Sequence, residues 1–405
     1  MKASRMHAAA AASAMILSTA SALASAAVAT DIGEGMVVRL EAGSLVLPDG
    51  TKREIGMYAS TIQEEIIDAM FPPVSADDIS GKTFFDESSL RYLDLTGGDY
   101  LVDEALTLPS MFVLRLDGAS SLSVAPNATI PDEDTPKNKM PPALVMLDGV
   151  SFSAVVGGTY DATGSDKFEA IHVEDGGHCA VRGVSVKASV NEAWKSSVTI
   201  RGGTRHELAF STIDGGDKAG RCAWTIATNA ALVHDNVIQR CVGHALDFDA
   251  YTSASAAWNN LVQNNNVGNE YGQGIFVEET ASGNFIFNNT VRNNKNGIEL
   301  YSLDVGPVTG NIIANNVLEK NERSGISSGG GTEEGDRHAQ NNIIVGNTAS
   351  GNGEADFFVQ HGSDGSVVGD YWVGNTGGAG DEVVYEGRFD GSDPANSTNV
   401  AIFQP

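Results

Sequence analysis

GIFVE (Gly274–Glu278) and GIELY (Gly297–Tyr301) carry a register that repeats along the middle of the chain and decides its fold. The second and fourth residues of each segment are apolar and the others are mostly polar, which indicates a strand with one buried face. Five further segments share this register: AIHVE (Ala170–Glu174), SVTIR (Ser197–Arg201), AWTIA (Ala223–Ala227), ALDFD (Ala245–Asp249) and GISSG (Gly325–Gly329). Consecutive segments begin 22 to 29 residues apart, so each strand is predicted to be one turn of a solenoid.

A column of asparagines supports the same register. One asparagine recurs before an apolar or threonine residue in each turn, and a polar residue, usually asparagine again, follows four or five positions later. The first set is Asn236, Asn260, Asn289, Asn316 and Asn347, and the second is Asn264, Asn293, Asn321 and Asn352. Stacked asparagine side chains hydrogen-bond along a ladder of strands, and asparagine tolerates left-handed corners. We therefore predict that these residues are structural.

The beginning of the chain predicts export. Lys2 and Arg5 precede an alanine-rich apolar stretch that ends in small residues, so residues 1–27 are interpreted as a signal peptide and the protein as secreted, extracellular or periplasmic. The formal net charge of −27 argues against nucleic acid and against an anionic membrane surface as partners. No later apolar run is long enough to span a membrane.

The rest of the chain divides by the regularity of its repeats. Residues 28–150 are predicted to form an N-terminal cap and irregular first turns, with an amphipathic helix over Ser60–Met70. Residues 151–376 hold the regular turns, and residues 377–405 close the far end. Cys222 and Cys241 lie about one turn apart and either pair or remain free thiols.

The turn length, the asparagine ladder, the helical cap and the export signal resemble those of right-handed parallel β-helix proteins of the pectin-lyase type. The resemblance covers about residues 57–376 and implies an all-β solenoid with a short N-terminal capping helix. That superfamily contains pectate and alginate lyases, mannuronan C5-epimerases and polygalacturonase-like hydrolases. The Asp-Pro-His signature of the epimerases is absent, and Gly243-His244-Ala245 only partly matches the Gly-His-Gly of the polygalacturonases.

The outward positions of the aligned strands form two columns with many carboxylates. The third positions are His172, Thr199, Thr225, Asp247, Phe276 and Glu299, and the fifth are Glu174, Arg201, Ala227, Asp249, Glu278 and Tyr301. Because neighbouring strands lie about 4.8 Å apart, the acidic residues of three consecutive turns share one patch. The patch predicts a calcium site on Asp247, Asp249 and Glu278, or acid–base chemistry, or simply a solvated acidic face.

Basic residues flank this patch. The glycine-containing loop before Ala223 brings Lys218 and Arg221 toward it, and His244 opens the next strand. We expect catalytic roles for Lys218, Arg221, His244, Asp247, Asp249 and Tyr301, with Tyr251 as the alternative acid. We expect substrate-binding roles for Arg201, Glu278, Glu279 and Glu299.

The function predicted on this basis is cleavage of a uronic-acid polymer, similar to alginate or pectate, by β-elimination. Epimerisation at C5 begins with the same proton abstraction and is the nearest alternative. An inverting glycoside hydrolase with paired carboxylates is a second class, and a non-enzymatic, calcium-binding solenoid is a third. Calcium is the one cofactor expected, and the protein is expected to be a monomer whose partner is an acidic polysaccharide.

Overall fold

The computed structural model describes residues 37–47, 50–71, 74, 90–126, 128, 142–165, 167–188, 196–265, 272–302, 306–330, 339–360, 370–377, 384–386 and 400–403. The signal-peptide prediction for residues 1–27 lies outside these residues. In this part of the chain, no helix is long and apolar enough to cross a membrane.

Short strands make up nearly all of the regular structure. The strands before residue 150 are β1 Val37–Glu41, β2 Ser44–Val46, β3 Lys52–Glu54, β4 Arg91–Thr96, β5 Asp99–Val102, β6 Leu106–Thr107, β7 Phe112–Leu116, β8 Ser121–Val124 and β9 Ala143–Asp148. The next are β10 Ala154–Val156, β11 Thr159–Asp161, β12 Glu169–Glu174, β13 Ala180–Arg182, β14 Ser185–Lys187, β15 Ser196–Arg201, β16 Glu207–Ala209, β17 Thr212–Asp214, β18 Arg221–Ile226, β19 Leu232–His234, β20 Val237–Gln239, β21 His244–Asp249, β22 Ala256–Trp258 and β23 Leu261–Gln263. The last are β24 Gln273–Glu278, β25 Phe285–Phe287, β26 Thr290–Arg292, β27 Asn296–Ser302, β28 Val308–Thr309, β29 Ile312–Ala314, β30 Val317–Glu319, β31 Ser324–Gly330, β32 Ala339–Gln340, β33 Ile343–Val345, β34 Thr348–Ser350, β35 Ala355–Gln360, β36 Tyr371–Asn375, β37 Val384–Glu386 and β38 Val400–Phe403.

Three long sheets run the length of the solenoid, and apart from the β1–β2–β3 segment their strands are parallel. Sheet A has the order β3-β2-β1-β4-β7-β10-β13-β16-β19-β22-β25-β29-β33-β36-β38. Sheet B has the order β34-β30-β26-β23-β20-β17-β14-β11-β8-β5, and sheet C has β37-β35-β31-β27-β24-β21-β18-β15-β12-β9-β6. Strand β28 pairs with β32. Each turn thus contributes one strand to each sheet, which confirms the predicted parallel β-solenoid.

The predicted alternation of apolar and polar residues identifies the buried core of sheet C. Leu246, Ile275 and Ile298 are register partners and form one fully buried column. Phe248, Val277 and Leu300 form the second, one pleat further along the same strands. The apolar core therefore continues from turn to turn, and the residues between these columns face outward.

The predicted register is wrong by one residue in β18. Ala223 pairs with Leu246 and Thr225 with Phe248, so Ala223 and Thr225 point inward and Trp224 and Ile226 point outward. The hydroxyl of Thr225 is satisfied inside by donating to the carbonyl oxygen of Asp247 at 2.8 Å. The AWTIA segment has apolar residues at both parities, so alternation alone could not select the buried face.

Ladders of hydrogen-bonded asparagine side chains stabilise the corners between strands of successive turns. Asn236, Asn260, Asn289, Asn316, Asn347 and Asn375 form the first ladder, in which each Nδ2 donates to the next Oδ1 at 2.9–3.0 Å. The second ladder consists of Asn265, Asn294, Asn321 and Asn352. It therefore begins one residue later than predicted, because Asn264 and Asn293 occupy the left-handed corner positions instead, with φ of 56° and 53°.

The N-terminal end carries the predicted short helix. An α-helix, α1, spans Ala59–Ile62 and continues as a π-helix over Gln63–Asp68. Its buried isoleucines join the same core as the first turns of the solenoid. Further along, Cys222 and Cys241 form a disulfide with Cα atoms 5.8 Å apart, which settles the pairing that the sequence left open.

Candidate active site

The outer face of sheet C presents three columns of side chains, one residue from each strand. We call Glu169, Ser196, Arg221, His244, Gln273 and Asn296 the leading column, because they begin their strands. The central column is His172, Thr199, Trp224, Asp247, Phe276 and Glu299. The distal column is Glu174, Arg201, Ile226, Asp249, Glu278 and Tyr301.

Four of these residues form a compact group, here called the acid cluster: Arg221, Asp247, Asp249 and Glu278. The guanidinium of Arg221 donates from Nε to Asp247 Oδ2 at 2.5 Å and from Nη2 to Glu278 Oε1 at 3.2 Å. Its Nη2 also lies 3.9 Å from Asp249 Oδ2. One cation therefore serves three carboxylates that come from two neighbouring strands.

The acid cluster has two layers. The side chains of Arg221 and Asp247 are 3% and 0% exposed and form the lower layer. Those of Asp249 and Glu278 are each 11% exposed and reach the surface. A substrate on this face would therefore contact Asp249 and Glu278, with Arg221 and Asp247 beneath them.

The cluster carries more negative charge than its single arginine can balance. Burial raises the pKa of Asp247, and the neighbouring Asp249 raises it further against the opposing effect of Arg221. Burial also raises the pKa of Glu278, followed by the repulsion of Asp247 and Asp249. Asp247 Oδ1 is buried and no N–H or hydroxyl group donates to it, whereas the carboxyl group of Glu278 is a hydrogen-bond partner of Asp247. The cluster therefore retains at least one proton near neutral pH.

Aromatic rings border the acid cluster. The indole of Trp224 lies under the guanidinium carbon of Arg221, 4.8 Å from the ring centroid, and its Nε1–H donates to Asp249 Oδ2 at 2.9 Å. On the next strands the imidazole of His244 stacks on Phe276, with centroids 4.6 Å apart. Burial, and then the charge of Arg221, lower the pKa of His244 to about 3. The imidazole is therefore neutral and is not a proton donor at neutral pH.

The structure offers donors for a metal ion at the same place. One ligand atom from each of His244, Asp247 and Glu278 lies within 4.8 Å of the others. The calcium ion expected on Asp247, Asp249 and Glu278 stays a prediction. The positive charge of Arg221 contacts all three of those carboxylates, which lessens the repulsion that a cation would otherwise have to neutralise.

Two of the basic residues predicted for the site make no contact with the acid cluster. Lys218 is exposed on its loop, and no hydrogen bond or ion pair joins it to a described residue of the acid cluster. Arg201 is two strands from Asp249 in the distal column and lies beside Glu174, with Nε 3.6 Å from Glu174 Oε1. The glycines before β18 therefore do not bring Lys218 into contact with the carboxylates.

The remaining predicted residues extend the site toward the C-terminal turns. Tyr301 is half-buried and pairs in register with Glu278; burial, and then Glu299 and Glu279, raise its pKa. Glu299 accepts hydrogen bonds from Gln273 and Asn296, and burial raises its pKa. Glu279 is buried where β24 ends. Tyr251, the alternative acid, is 63% exposed on a corner.

Sequence reasoning missed Trp224, which it assigned to the core. Its neighbour Arg221 gives no usable signal, because residues three apart in a regular strand face opposite sides. Both face outward here because Cys222 and Ala223, which lie between them, are both buried. The leading and central columns contact each other in several turns. Gln273 with Glu299 repeats the contact between neighbouring strands that Arg221 makes with Asp247, and Glu169 contacts His172 within one strand.

Comparison with known proteins identifies the fold. A family model described as a right handed beta helix region matches residues 161–306. The polygalacturonase of Erwinia carotovora is 13% identical with a TM-score of 0.62, and the match covers 93% of this chain and 100% of the enzyme. The A-module of the mannuronan C-5 epimerase AlgE6 of Azotobacter vinelandii is 15% identical with a TM-score of 0.52, covering 86% of this chain and 95% of the module.

The third similar structure is a longer protein. The Dettilon tailspike protein is 16% identical with a TM-score of 0.55, and the match covers 71% of this chain but 56% of the tailspike. A search of curated protein sequences finds no match to this chain. At these identities the likeness shows the fold alone. The chain is a right-handed parallel β-helix protein, as the sequence predicted.

Proposed function

We propose that this protein is an enzyme that cleaves a polysaccharide, with Asp249 and Glu278 as the carboxyl groups that act on the glycosidic bond. The observation that carries the proposal is the charge imbalance of the acid cluster, in which three nearly buried carboxylates surround one guanidinium. Buried charges without equal partners destabilise a fold, so stability alone does not explain the arrangement. Paired carboxyl groups with pKa values pushed apart are the groups that acid–base catalysis requires.

The geometry suggests a role for each group. Glu278 acts as the general acid, because burial and its anionic neighbours keep a proton on it for the leaving oxygen. Asp249 accepts hydrogen bonds from the Trp224 indole at 2.9 Å and from the Ala250 backbone N–H at 2.5 Å, and acts as the carboxylate partner. Arg221 and Asp247 are positioning residues that hold this pair and its charge.

The spacing argues against the inverting arrangement that the sequence suggested. Asp249 and Glu278 lie on neighbouring strands whose backbones are about 4.8 Å apart, and both carboxyl groups lie within 3.9 Å of the same atom, Arg221 Nη2. Inverting enzymes separate their carboxyl groups by about 6.5 Å or more to admit a water, whereas retaining enzymes use about 5 Å. We therefore propose retention of anomeric configuration, with Asp249 as nucleophile.

A long polymer as substrate is supported by shape and by fold. The three outer columns run along the solenoid axis and offer a continuous face to an extended chain. Two proteins of similar fold are by name a polygalacturonase and a mannuronan C-5 epimerase, both acting on polysaccharides. The disulfide between Cys222 and Cys241 supports a secreted enzyme, because such bonds persist in oxidising compartments.

β-Elimination on a uronic-acid polymer is the second candidate, favoured by one observation. Tyr301 lies next to Glu278, and its raised pKa keeps a phenolic proton available for a leaving oxygen. The base is the difficulty for this mechanism. Lys218 does not contact the acid cluster, and Arg221 is buried and engaged with carboxylates.

The deciding experiment incubates the purified protein with polygalacturonate, alginate, xylan and dextran, with and without a chelator. Reducing ends, ultraviolet absorbance and sugar composition are measured, and the first-formed anomer is read by NMR. Glu278→Gln serves as the control for contaminating activity. New reducing ends without absorbance, with the anomer retained, are expected.

Each other outcome contradicts the proposal in its own way. An ultraviolet-absorbing product would establish β-elimination, and a changed sugar composition without new ends would establish epimerisation. An inverted anomer would overturn the nucleophile assigned to Asp249. Unchanged polymers throughout would remove the enzymatic interpretation. Loss of activity with chelator, in contrast, would leave the proposal standing and make a divalent cation a required cofactor.

A further inference from the structure

We infer that Arg201 binds a carboxylate group of the polymer, about two strands along the solenoid from the bond that is cleaved. This inference rests on the proposed function, because it specifies the substrate of the same outer face. Arg201 lies in the distal column with Asp249, and Ile226 is the one residue between them. Two strand spacings place Arg201 about 10 Å from Asp249 along the solenoid axis, within reach of a neighbouring sugar of the same chain.

The guanidinium of Arg201 is anchored on one side. Its Nε lies 3.6 Å from Glu174 Oε1, and its side chain is 41% exposed. No hydrogen bond leads from its Nη atoms to any residue that the structure describes. A guanidinium held at its Nε side leaves its Nη atoms for an incoming carboxylate, which arginine binds more specifically than lysine does.

A buried histidine holds that anchor in place. The His172 ring contacts Glu174 Oε2 through Nε2, 2.9 Å away, and Glu169 Oε2 through Nδ1, 2.7 Å away. We call Glu169, His172, Glu174 and Arg201 the histidine chain. Because Glu174 is held by His172, ordering Arg201 for a ligand requires little further loss of side-chain freedom. His172 is thus a positioning residue for Arg201.

The contrast with the other arginine of this face supports the assignment. Arg221 is 3% exposed and already contacts three carboxylates, so its guanidinium is not available to a polymer. Arg201 is the partly exposed cation of the distal column. In a protein with a net charge of −27, an anionic polymer needs such a local positive group to approach the acid cluster.

The test is a binding measurement on the full chain carrying Glu278→Gln, so that no turnover interferes. Retardation is measured in gels that contain polygalacturonate, alginate, carrageenan, methyl-esterified pectin or dextran. These polymers compare carboxylate, sulfate, esterified and neutral groups. Arg201→Gln and Arg201→Lys are added to this parent, with Arg182→Gln as the matched control. Arg182 pairs with Glu207 and is 52% exposed, but it lies on β13 of sheet A.

We expect Arg201→Gln to weaken retention by the best-bound carboxylate polymer about tenfold or more. Arg201→Lys should rescue little of this loss, and Arg182→Gln should behave as the parent. His172→Gln should weaken binding to the carboxylate polymer but leave binding to dextran or esterified pectin unchanged, which a loss of structure would not do.

Several results would overturn the inference. One is equal retention of Arg201→Gln and Arg182→Gln, and another is a loss of retention by Arg201→Gln that is the same for neutral and charged polymers. A third is a larger loss for carrageenan than for the carboxylate polymers. The last is that no carboxylate polymer retains the parent. Arg201-dependent retention together with wild-type protein that cleaves nothing would support the inference and contradict the proposed function alone. The two proposals therefore fail separately.

Discussion

The acid cluster and the histidine chain lie on the same face of sheet C and use the same kinds of residue, yet they differ in charge balance. The histidine chain alternates acid and base through Glu169, His172, Glu174 and Arg201, so its formal charges cancel when His172 is protonated. The acid cluster sets three carboxylates against one arginine. Of these two clusters, only the acid cluster contains a buried carboxylate oxygen to which no N–H or hydroxyl group donates.

This difference shows how a structural ion network is distinguished from a reactive one. Both are largely buried, so burial does not separate them. A network with equal charges and satisfied hydrogen bonds is stable in one protonation state. An excess of carboxylates instead raises their pKa values, so that one group holds a proton near neutral pH and can give it up. We therefore assign chemistry to the acid cluster and positioning to the histidine chain.

The largest expected effect concerns the β-solenoid itself, which positions both clusters. Ile275→Asp places a charge in the continuous buried column between Leu246 and Ile298, and we expect no cooperative unfolding transition and no native circular dichroism. Thr212→Asp, at an exposed position of β17, is the matched control and should fold normally. Wild-type melting of Ile275→Asp would mean that inward and outward faces are assigned wrongly.

The next effect separates the two clusters by activity. Glu278→Gln and Asp249→Asn should each lower kcat by about 10²- to 10⁴-fold, the usual contribution of acid–base and nucleophilic groups. Glu169→Gln, in the histidine chain, should leave kcat within a few-fold while raising KM on an anionic polymer. Kinetics on the most active polymer provide the measurement. Equal losses of kcat in all three variants would contradict the division.

The β-solenoid was predicted well from the sequence because its strands and corners repeat. Inward Ile275 and Ile298 and the ladder from Asn236 to Asn347 recur with one period, so each turn confirms the others. Residues that break the repeat were harder to place. Trp224 was assigned inward because a large apolar residue usually is, whereas its indole N–H has a partner only on the outer face.

The candidate site was predicted in part for a related reason. Asp247, Asp249 and Glu278 were found because they share outward positions on adjacent strands, and Arg221 because it immediately precedes the predicted strand at Ala223. Lys218 was placed there only by a loop, and the path of a loop does not follow from a strand register. The pairing of Glu169 with His172 was missed because leading residues had no column in the sequence pattern.

A smaller effect compares the two clusters by stability. Arg221→Met removes the cation of the acid cluster, and we expect a loss of about 3–5 kcal/mol in the free energy of unfolding at pH 8. The loss should shrink at pH 5, because the carboxyl groups then take up protons. Arg182→Met breaks an exposed pair with Glu207 and should cost at most about 1 kcal/mol. Urea denaturation at both pH values gives the comparison, and a loss that does not depend on pH would contradict the charge argument.

The smallest effect concerns the histidine chain alone. Burial opposes protonation of His172, but Glu169 and Glu174 outweigh it and raise its pKa to about 9 from an ordinary value of 6.5. A raised pKa stabilises the fold below the unfolded value, so this contribution is complete below about pH 6.5 and is lost as the pH rises through about 9. The difference between these two pKa values corresponds to about 3 kcal/mol in the free energy of unfolding.

His172→Gln should therefore be less stable than wild type at pH 6, with a difference that narrows by up to about 3 kcal/mol between pH 6.5 and 9.5. The difference between the two profiles is the quantity to measure, because the raised pKa values of Asp247 and Glu278 also lower wild-type stability as the pH rises. His206→Gln is the control. Burial lowers the pKa of His206 to about 4, so the folded ring is neutral throughout the range, while the unfolded ring still takes up protons below about pH 7. The loss of stability on removing His206 should therefore not narrow as the pH rises, in contrast to that of His172→Gln. A His172→Gln profile parallel to wild type would mean that His172 is neutral, and the histidine chain would then carry an excess of negative charge as the acid cluster does.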